Sequence, residues 1–260
     1  MSAVTLAVIG GSGVYQPSMI SEVREISVDT PYGTINPLVG RVGERQVAFL
    51  ARHGKDHSVL PHQLNYRANI WGLKTLGVQR IIATTAVGSL NEQSGPGSLV
   101  LLDQFLDFTK QRPLTFFEQG DITRAHIDVT EPYCPQLRQS LQLAATQCQT
   151  LVKDGGCYVA TEGPRYETAA EIKMYRMLGG DVIGMTGVPE VVLARELGIC
   201  YAGISMVTNW AAGLNRSPLT HADVVEIMNE NQTRIVDLIE KCLLIVPDSL
   251  ECHCCPQKED

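Results

Sequence analysis

The stretch TLAVIGGSGVYQP, residues 5–17, joins an apolar run to a glycine turn and decides how the rest of the chain is read. An unbroken apolar run suits a strand of a parallel sheet covered on both faces, so residues 5–9 are expected to be buried. The turn Gly10-Gly11-Ser12-Gly13 supplies a backbone that can fold tightly or approach a ligand closely. A dinucleotide fingerprint needs G-x-G-x-x-G opening a helix. Here Gly11 and Gly13 are followed by Val14-Tyr15-Gln16, the third glycine is missing, and Pro17 interrupts the would-be helix. A triphosphate loop needs a lysine after its last glycine, and none follows. Two readings stay open: a tight turn, or a cradle in which backbone N–H groups and the Ser12 hydroxyl hold a small anion.

Further along, apolar strands alternate with helices. Strands are expected at 47–54, 80–89, 98–107, 156–161, 181–185 and 200–209. Helices are expected at 65–77, 134–148, 169–180, the segment ending at Leu197, and 221–246, while 108–130 reads as loop. This alternation predicts one α/β domain with a central, mostly parallel sheet flanked by helices. The domain is expected over 1–250, followed by a Cys-rich tail at 251–260. Ligands of such sheets collect beyond the strand ends. Those ends carry Ser12, Arg52-His53, Thr84-Thr85, Met185-Thr186 and Thr208-Asn209.

The composition is ordinary for a globular chain, with 44% apolar and 19% charged residues. A net charge of −7 argues against a nucleic-acid partner. No apolar run is long enough to span a bilayer, and no secretory signal opens the chain, so a cytoplasmic enzyme with no membrane partner is expected. Cys134, Cys148, Cys157, Cys200 and Cys242 sit among apolar neighbours and read as small core hydrophobes. Cys252, Cys254 and Cys255 crowd the tail beside His253. That spacing suits neither a zinc finger nor a ribbon, so a tail disulfide or disorder is the preferred reading over a metal.

Among catalytic patterns, G-x-S-x-G is absent, which argues against a covalent serine nucleophile. His53 and His57 lie four apart but lack a third ligand for zinc. Arg52 offers a fork matching two phosphate oxygens, His53 a further donor, and Thr85 and Thr186 hydroxyls. One cation, one imidazole and several hydroxyls equip a site for a single oxyanion without metal.

The segments GGSG, ARHG, NYRANIW, TTAVGSL, EGPRYET, GMTGVPEVVLARELGI and SMVTN occur in an order that resembles the trimeric purine nucleoside phosphorylase and methylthioadenosine phosphorylase family. The likeness runs from residue 5 to about 245. It implies a single-domain nucleoside phosphorylase-like fold, a homotrimer, and phosphorolysis of a purine nucleoside, with inorganic phosphate as co-substrate and no cofactor or metal. Carried over by position, Ser12, Arg52, His53, Thr85, the Ala86 amide and Thr186 would hold phosphate. Met185 would pack on the sugar. Asn209 and His53 are the catalytic candidates.

The base pocket follows from hydrogen-bond chemistry. A 6-oxopurine shows a carbonyl acceptor at position 6 and an N–H at N1. Asn can donate to the oxo group and accept from a protonated N7, while Glu accepts from N1–H. Family members that act on inosine and guanosine pair Glu with Asn, whereas methylthioadenosine enzymes lack the Glu and carry Asp. Glu167 and Asn209 fit the first pattern, and Tyr166, Trp210 and Ala211 beside them complete the candidate pocket. Glu167 also reads as a helix N-terminal acid, and Asn209 as a strand-end turn residue.

At the 5′ side, His221 matches a histidine that bonds the sugar hydroxyl in the nucleoside enzymes, and it also reads as a helix-start residue. His126 matches a segment that reaches a neighbouring subunit's pocket in the family. The alternatives are a methylthioinosine or methylthioadenosine phosphorylase, a dehydrogenase built on the glycine turn, and a metal-binding or interaction tail.

Overall fold

The all-apolar run LAVIG is fully buried as strand β1 (Leu6–Gly10) in a computed structural model. The structure describes residues 4–11, 20–56, 58–118, 126–214 and 221–254, with the backbone alone for 221–224. Ser12, His57, Cys255 and the loop ahead of His221 lie outside the described residues.

β1 lies parallel to β6 (Arg45–Ala51) on one side and β7 (Arg80–Ser89) on the other. Its side chains alternate between two cores, as a strand's period of two requires. Ala7 and Ile9 face one core with Ile70, Leu73 and Val191. Leu6 and Val8 face the other with Leu137, Leu141, Ile235 and Ile239. Helices α1 (Tyr66–Thr75) and α4 (Gly187–Glu196) cover the first face. Helices α2 (Pro135–Gln147) and α5 (His221–Ile245) cover the second. A smaller cluster of Leu90, Val159, Ile172 and Ile183 seats α3 (Ala169–Met177). The helix starts follow local capping chemistry. The Asn65 side chain accepts from the Ala68 N–H, and Thr168 and Glu171 form a reciprocal capping box.

Among the described residues, eleven strands form one mixed sheet. Its main path runs β10 (Val152–Asp154), β8 (Leu99–Leu101), β13 (Cys200–Trp210), β7, β1, β6, β5 (Leu38–Val42), β2 (Ser21–Glu25). A branch leads from β7 through β12 (Val182–Gly184) and β11 (Cys157–Thr161) to β9 (Gln104–Phe108). The α/β architecture expected from the alternation of elements is the one observed. β3 (Val28–Thr30) and β4 (Gly33–Ile35) make a separate hairpin.

Two readings need correction. The expected strand over 98–107 is two strands in different parts of the sheet. β8 pairs antiparallel with β13, and β9 pairs parallel with β11. The chain turns between them at Asp103, whose carboxylate accepts the Gly156 N–H at 2.9 Å. The region 20–42, given no element from sequence, holds β2 to β5. β2 is exposed along its whole length, so it carries no apolar alternation to reveal it.

Candidate functional site

The C-terminal ends of β6, β7 and β13 converge with the turn after β12 and the segment after β11. Between them lies a cavity lined by Arg52, His53, Val59, Leu60, Pro61, Ala86, Val87, Gly88, Tyr166, Glu167, Ile183, Gly184, Met185, Thr186, Thr208, Asn209, Ala211 and Ala212. Nine sequence-expected site residues therefore meet in one place: Arg52, His53, Ala86, Tyr166, Glu167, Met185, Thr186, Asn209 and Ala211.

Asn209 owes its position to a β-bulge. β13 pairs with β7 in register as far as Val207 opposite Val87, and pairing resumes with Asn209 opposite Gly88. Thr208 is the extra residue, and a bulge of this kind re-aims the side chains around it. The Thr208 hydroxyl donates to Asn209 Oδ1 at 2.8 Å, and Asn209 Nδ2 donates to the Trp210 carbonyl at 2.9 Å. Both ends of the amide are thereby oriented. Gly88 makes room for it: a Cβ there would stand 3.0 Å from Asn209 Nδ2 and 3.3 Å from Ile183. Across the cavity, the Thr161 hydroxyl donates to Glu167 Oε1 at 2.7 Å, which fixes one carboxylate oxygen.

Arg52 does not stand as a lone cation. Its Nε and Nη2 donate to the two oxygens of Glu190 at 2.6 and 2.8 Å, and Nη1 donates to the Thr84 carbonyl at 2.7 Å. Both partners are buried, with side-chain exposures of 1% and 0%. Burial alone would press the guanidinium toward neutrality, but the Glu190 carboxylate overrides it and holds Arg52 above its usual value. The fork expected to grip phosphate is therefore spent on Glu190. One N–H on each of Nη1 and Nη2 is left for other partners. Tyr201 also donates to Glu190 Oε2 at 2.8 Å, and burial followed by the Glu190 charge pushes its phenol well up. Gly11 packs directly on this arrangement, since a Cβ there would lie 2.5 Å from the Thr84 carbonyl oxygen and 2.7 Å from Arg52 Nη1.

His53 Nδ1 lies 2.8 Å from the Val59 carbonyl. A carbonyl only accepts, so Nδ1 carries the proton and Nε2 is the acceptor nitrogen of the neutral ring. The Thr186 hydroxyl caps nothing in α4. The turn carrying it is held by Tyr158, whose oxygen accepts the Thr186 and Gly187 N–H groups at 3.0 and 3.2 Å.

Three expected residues stand apart from this lining, and neither Ser12 nor the His221 side chain is described. Thr85 is buried and shares a 2.8 Å hydrogen bond with Ser205 inside the sheet. The Trp210 ring lies against Gly95. His126 is exposed. His221 opens α5, and its side chain is outside the described residues. Residues not anticipated from sequence are Glu190, Thr161 and the wall Val59-Leu60-Pro61, whereas Thr208 was noted as a strand-end residue but not as the bulge that orients Asn209. Glu190 had a signal: one acid inside the otherwise apolar GVPEVVLA demands a buried partner.

Among the described residues no helix is long and apolar enough to cross a membrane. A family model described as "Phosphorylase superfamily" matches residues 5–244. The chain is 52% identical over 254 residues to a 6-oxopurine nucleoside phosphorylase of Pyrococcus furiosus, covering 96% of each chain. It is 50% identical over 250 residues to a probable S-methyl-5′-thioinosine phosphorylase of Methanopyrus kandleri, covering 96% of this chain and 95% of that one. Among solved structures, a methylthioadenosine phosphorylase from an antarctic soil metagenomic library superposes with a TM-score of 0.90 at 36% identity, covering 98% and 90% of the two chains. The methylthioadenosine phosphorylase of Schistosoma mansoni with adenine gives 0.89 at 33% identity, covering 94% and 92%.

Proposed function

The chain belongs to the phosphorylase superfamily, and from that premise we propose that it cleaves 6-oxopurine nucleosides such as inosine and guanosine with inorganic phosphate. The products are the free purine and ribose 1-phosphate. The observation that carries this reading is the meeting of Glu167 and Asn209 in one cavity with Arg52, His53 and Thr186. Four curated relatives, at 48 to 52% identity, bear the name 6-oxopurine nucleoside phosphorylase, three of them as probable.

The chemistry follows from hydrogen-bond capacity. An Asn amide has two N–H groups and two acceptor sites. Thr208 and Trp210 use one of each, so one donor and one acceptor remain. A departing 6-oxopurine offers the complement on one edge, the O6 acceptor and N7–H. Glu167 keeps one oxygen on Thr161 and has capacity for N1–H. Phosphate binds beside Arg52, His53, Ala86 and Thr186, and Met185 packs on the sugar. The bond from the anomeric carbon to N9 breaks with its electron pair on the purine. A phosphate oxygen closes on the opposite face of that carbon, inverting it. Overall, the proton lost by phosphate ends on the purine. Asn209 stabilises the charge that develops on the leaving base, and positioning supplies much of the remaining acceleration.

We further infer a homotrimer that works in purine salvage in the cytoplasm with no cofactor. Met174, Met177 and Leu178 are exposed on and after α3 and offer an apolar face to a second subunit. A second reading, methylthioinosine phosphorolysis, shares this base pocket and is favoured by the relative of that name at 50% identity. The two differ only at the 5′ side, where His221 favours the ordinary nucleoside. The test is phosphate-dependent cleavage of inosine, guanosine, adenosine and their methylthio forms. Inosine and guanosine should be cleaved fastest. Preference for adenosine would refute the base assignment, and preference for methylthioinosine would replace the sugar assignment.

A further inference from the structure

Three distant parts of the chain bring four thiols together at the end of the sheet remote from the cavity. Cys134 caps α2, Cys200 opens β13, and Cys252 and Cys254 follow α5. Their Sγ atoms all lie within 4.8 Å of one another. Cys134, Cys200 and Cys254 are buried and Cys252 is half-buried. The Cys200 and Cys252 sulfurs are 3.2 Å apart, well beyond the roughly 2.05 Å of a disulfide bond. A tetrahedral ion with metal–sulfur bonds of about 2.3 Å spreads its sulfurs about 3.8 Å apart. The cluster has the dimensions of such a cage.

We propose that Cys134, Cys200, Cys252 and Cys254 form a closed structural site for one soft divalent cation of the Zn2+ type.

The seat is built independently of the thiols. Arg80 Nη2 donates to the Asp248 and Ser249 carbonyls at 3.3 and 2.6 Å, and Gln136 Nε2 donates to the Ser249 carbonyl at 3.0 Å. Arg45 Nη1 donates to the Leu243 and Val246 carbonyls. These bonds lay the segment after α5 across the starts of β6, β7 and α2 and deliver Cys252 and Cys254 to the cluster. The Cys134 N–H donates to the Tyr201 carbonyl at 2.8 Å, which sets the other pair in register. The Leu137 N–H donates to Cys134 Sγ at 3.5 Å, so the α2 N-terminus supports a thiolate there.

An all-sulfur set selects soft metals over magnesium or calcium. Binding replaces four S–H protons, released to solvent, with four metal–sulfur bonds. Four protein ligands leave no open position, so the ion takes no part in phosphorolysis. Asn209 lies nine positions beyond Cys200 along β13, roughly 30 Å at strand rise. The ion instead fastens the C-terminal segment to the sheet. The tail spacing C-x-C concealed this, because the other two ligands come from the body of the domain.

To test this, the full chain is purified under reducing conditions without a metal-affinity step, loaded with Zn2+ and freed of excess. The metal is then counted by elemental mass spectrometry. About one Zn2+ per chain is expected, falling to background in Cys200→Ser and Cys254→Ser and unchanged in Cys148→Ser, a cysteine outside the cluster. The unmutated chain loaded with Co2+ should show the thiolate charge-transfer and visible bands of tetrahedral sulfur coordination, a readout that stands even where a serine variant fails to fold. Absence of bound metal on the reduced chain, or a Co2+ spectrum without thiolate bands, overturns the site. So does protein recovered from cells with these thiols joined as disulfides, its mass lowered by two hydrogens per bond.

Discussion

Replacing Asn209 by Asp inverts one half of the base contact while keeping side-chain size. In the native chain Nδ2 donates to the Trp210 carbonyl at 2.9 Å, and Oδ1 accepts from Thr208 at 2.8 Å. In Asn209→Asp the Thr208 bond survives. The second oxygen then faces the Trp210 carbonyl, acceptor against acceptor, a cost shared by every substrate. Toward the base, the remaining donor is lost, so the oxo group of inosine meets a carboxylate. Leaving such a buried pair unmade costs about 1–3 kcal/mol. The amino group of adenosine gains a matching acceptor worth a similar amount. The two effects sum to at least about 2 kcal/mol in selectivity, about thirtyfold in the ratio of kcat/KM values. The shared cost cancels in that ratio. The assay is steady-state phosphorolysis of inosine and adenosine at one phosphate concentration. Glu167 still disfavours adenosine at N1, so Asn209→Asp with Glu167→Gln should move the ratio further. A ratio in Asn209→Asp within about threefold of the native one, well below the swing derived from buried polar pairs, would refute this account of base choice. Asn209→Ala, which removes both contacts, should lower inosine turnover about 100-fold or more.

Other outcomes follow from the surrounding geometry. Glu190→Ala strands the buried Arg52 guanidinium and should cost about 3–5 kcal/mol, lowering the calorimetric Tm by on the order of 10 °C. Gly88→Ala places a methyl 3.0 Å from Asn209 Nδ2 and should raise the nucleoside KM on the order of tenfold at a nearly unchanged Tm, as kinetics and calorimetry on one preparation would establish. Asp181 links three elements by accepting from Asn91 Nδ2, the Cys157 N–H and Lys153 Nζ. Burial alone would raise its carboxyl, but those partners outweigh burial and hold it below the usual range. The folded state thus binds fewer protons here than the unfolded state. The stabilisation is present above the unfolded value of about 3.9 and is lost as pH falls through the lower folded value. Urea unfolding of Asp181→Asn across that acidic window should show a shallower fall of stability than the native chain.

Much of this architecture could be read from residue patterns, for a physical reason. Stretches buried on both faces, such as 6–9 and 81–83, must be apolar throughout, and helices 65–77 and 134–148 must carry an apolar stripe. Those constraints leave a mark on one sequence. β2, exposed along its length, is under no such constraint and left none. The site divides in the same way. Strand-end polar residues pointed to the cavity, and nine of the expected residues line it. What a single sequence could not show was partnership across the fold. Arg52 and Glu190 lie 138 positions apart, and only the packing of α4 on the sheet joins them. The bulge at Thr208 is equally silent, because it is a mismatch between two strands and not a property of either one.

The Arg52–Glu190 pair also changes how an anion can be held. A guanidinium matched by a buried carboxylate brings almost no net charge to the cavity, so on the proposed reading retention of phosphate would fall to oriented donors: two residual guanidinium N–H groups, a threonine hydroxyl and backbone amides. Directed donors of this kind discriminate by geometry more than by charge. The reaction requires that, since the same phosphoryl group must be captured as inorganic phosphate and released as a sugar phosphate. A bare buried cation would bind both strongly and slow release, and release limits turnover in many enzymes. On that reading Glu190 would be a positioning residue that tempers Arg52, and its burial at 0% side-chain exposure shields the pair from water.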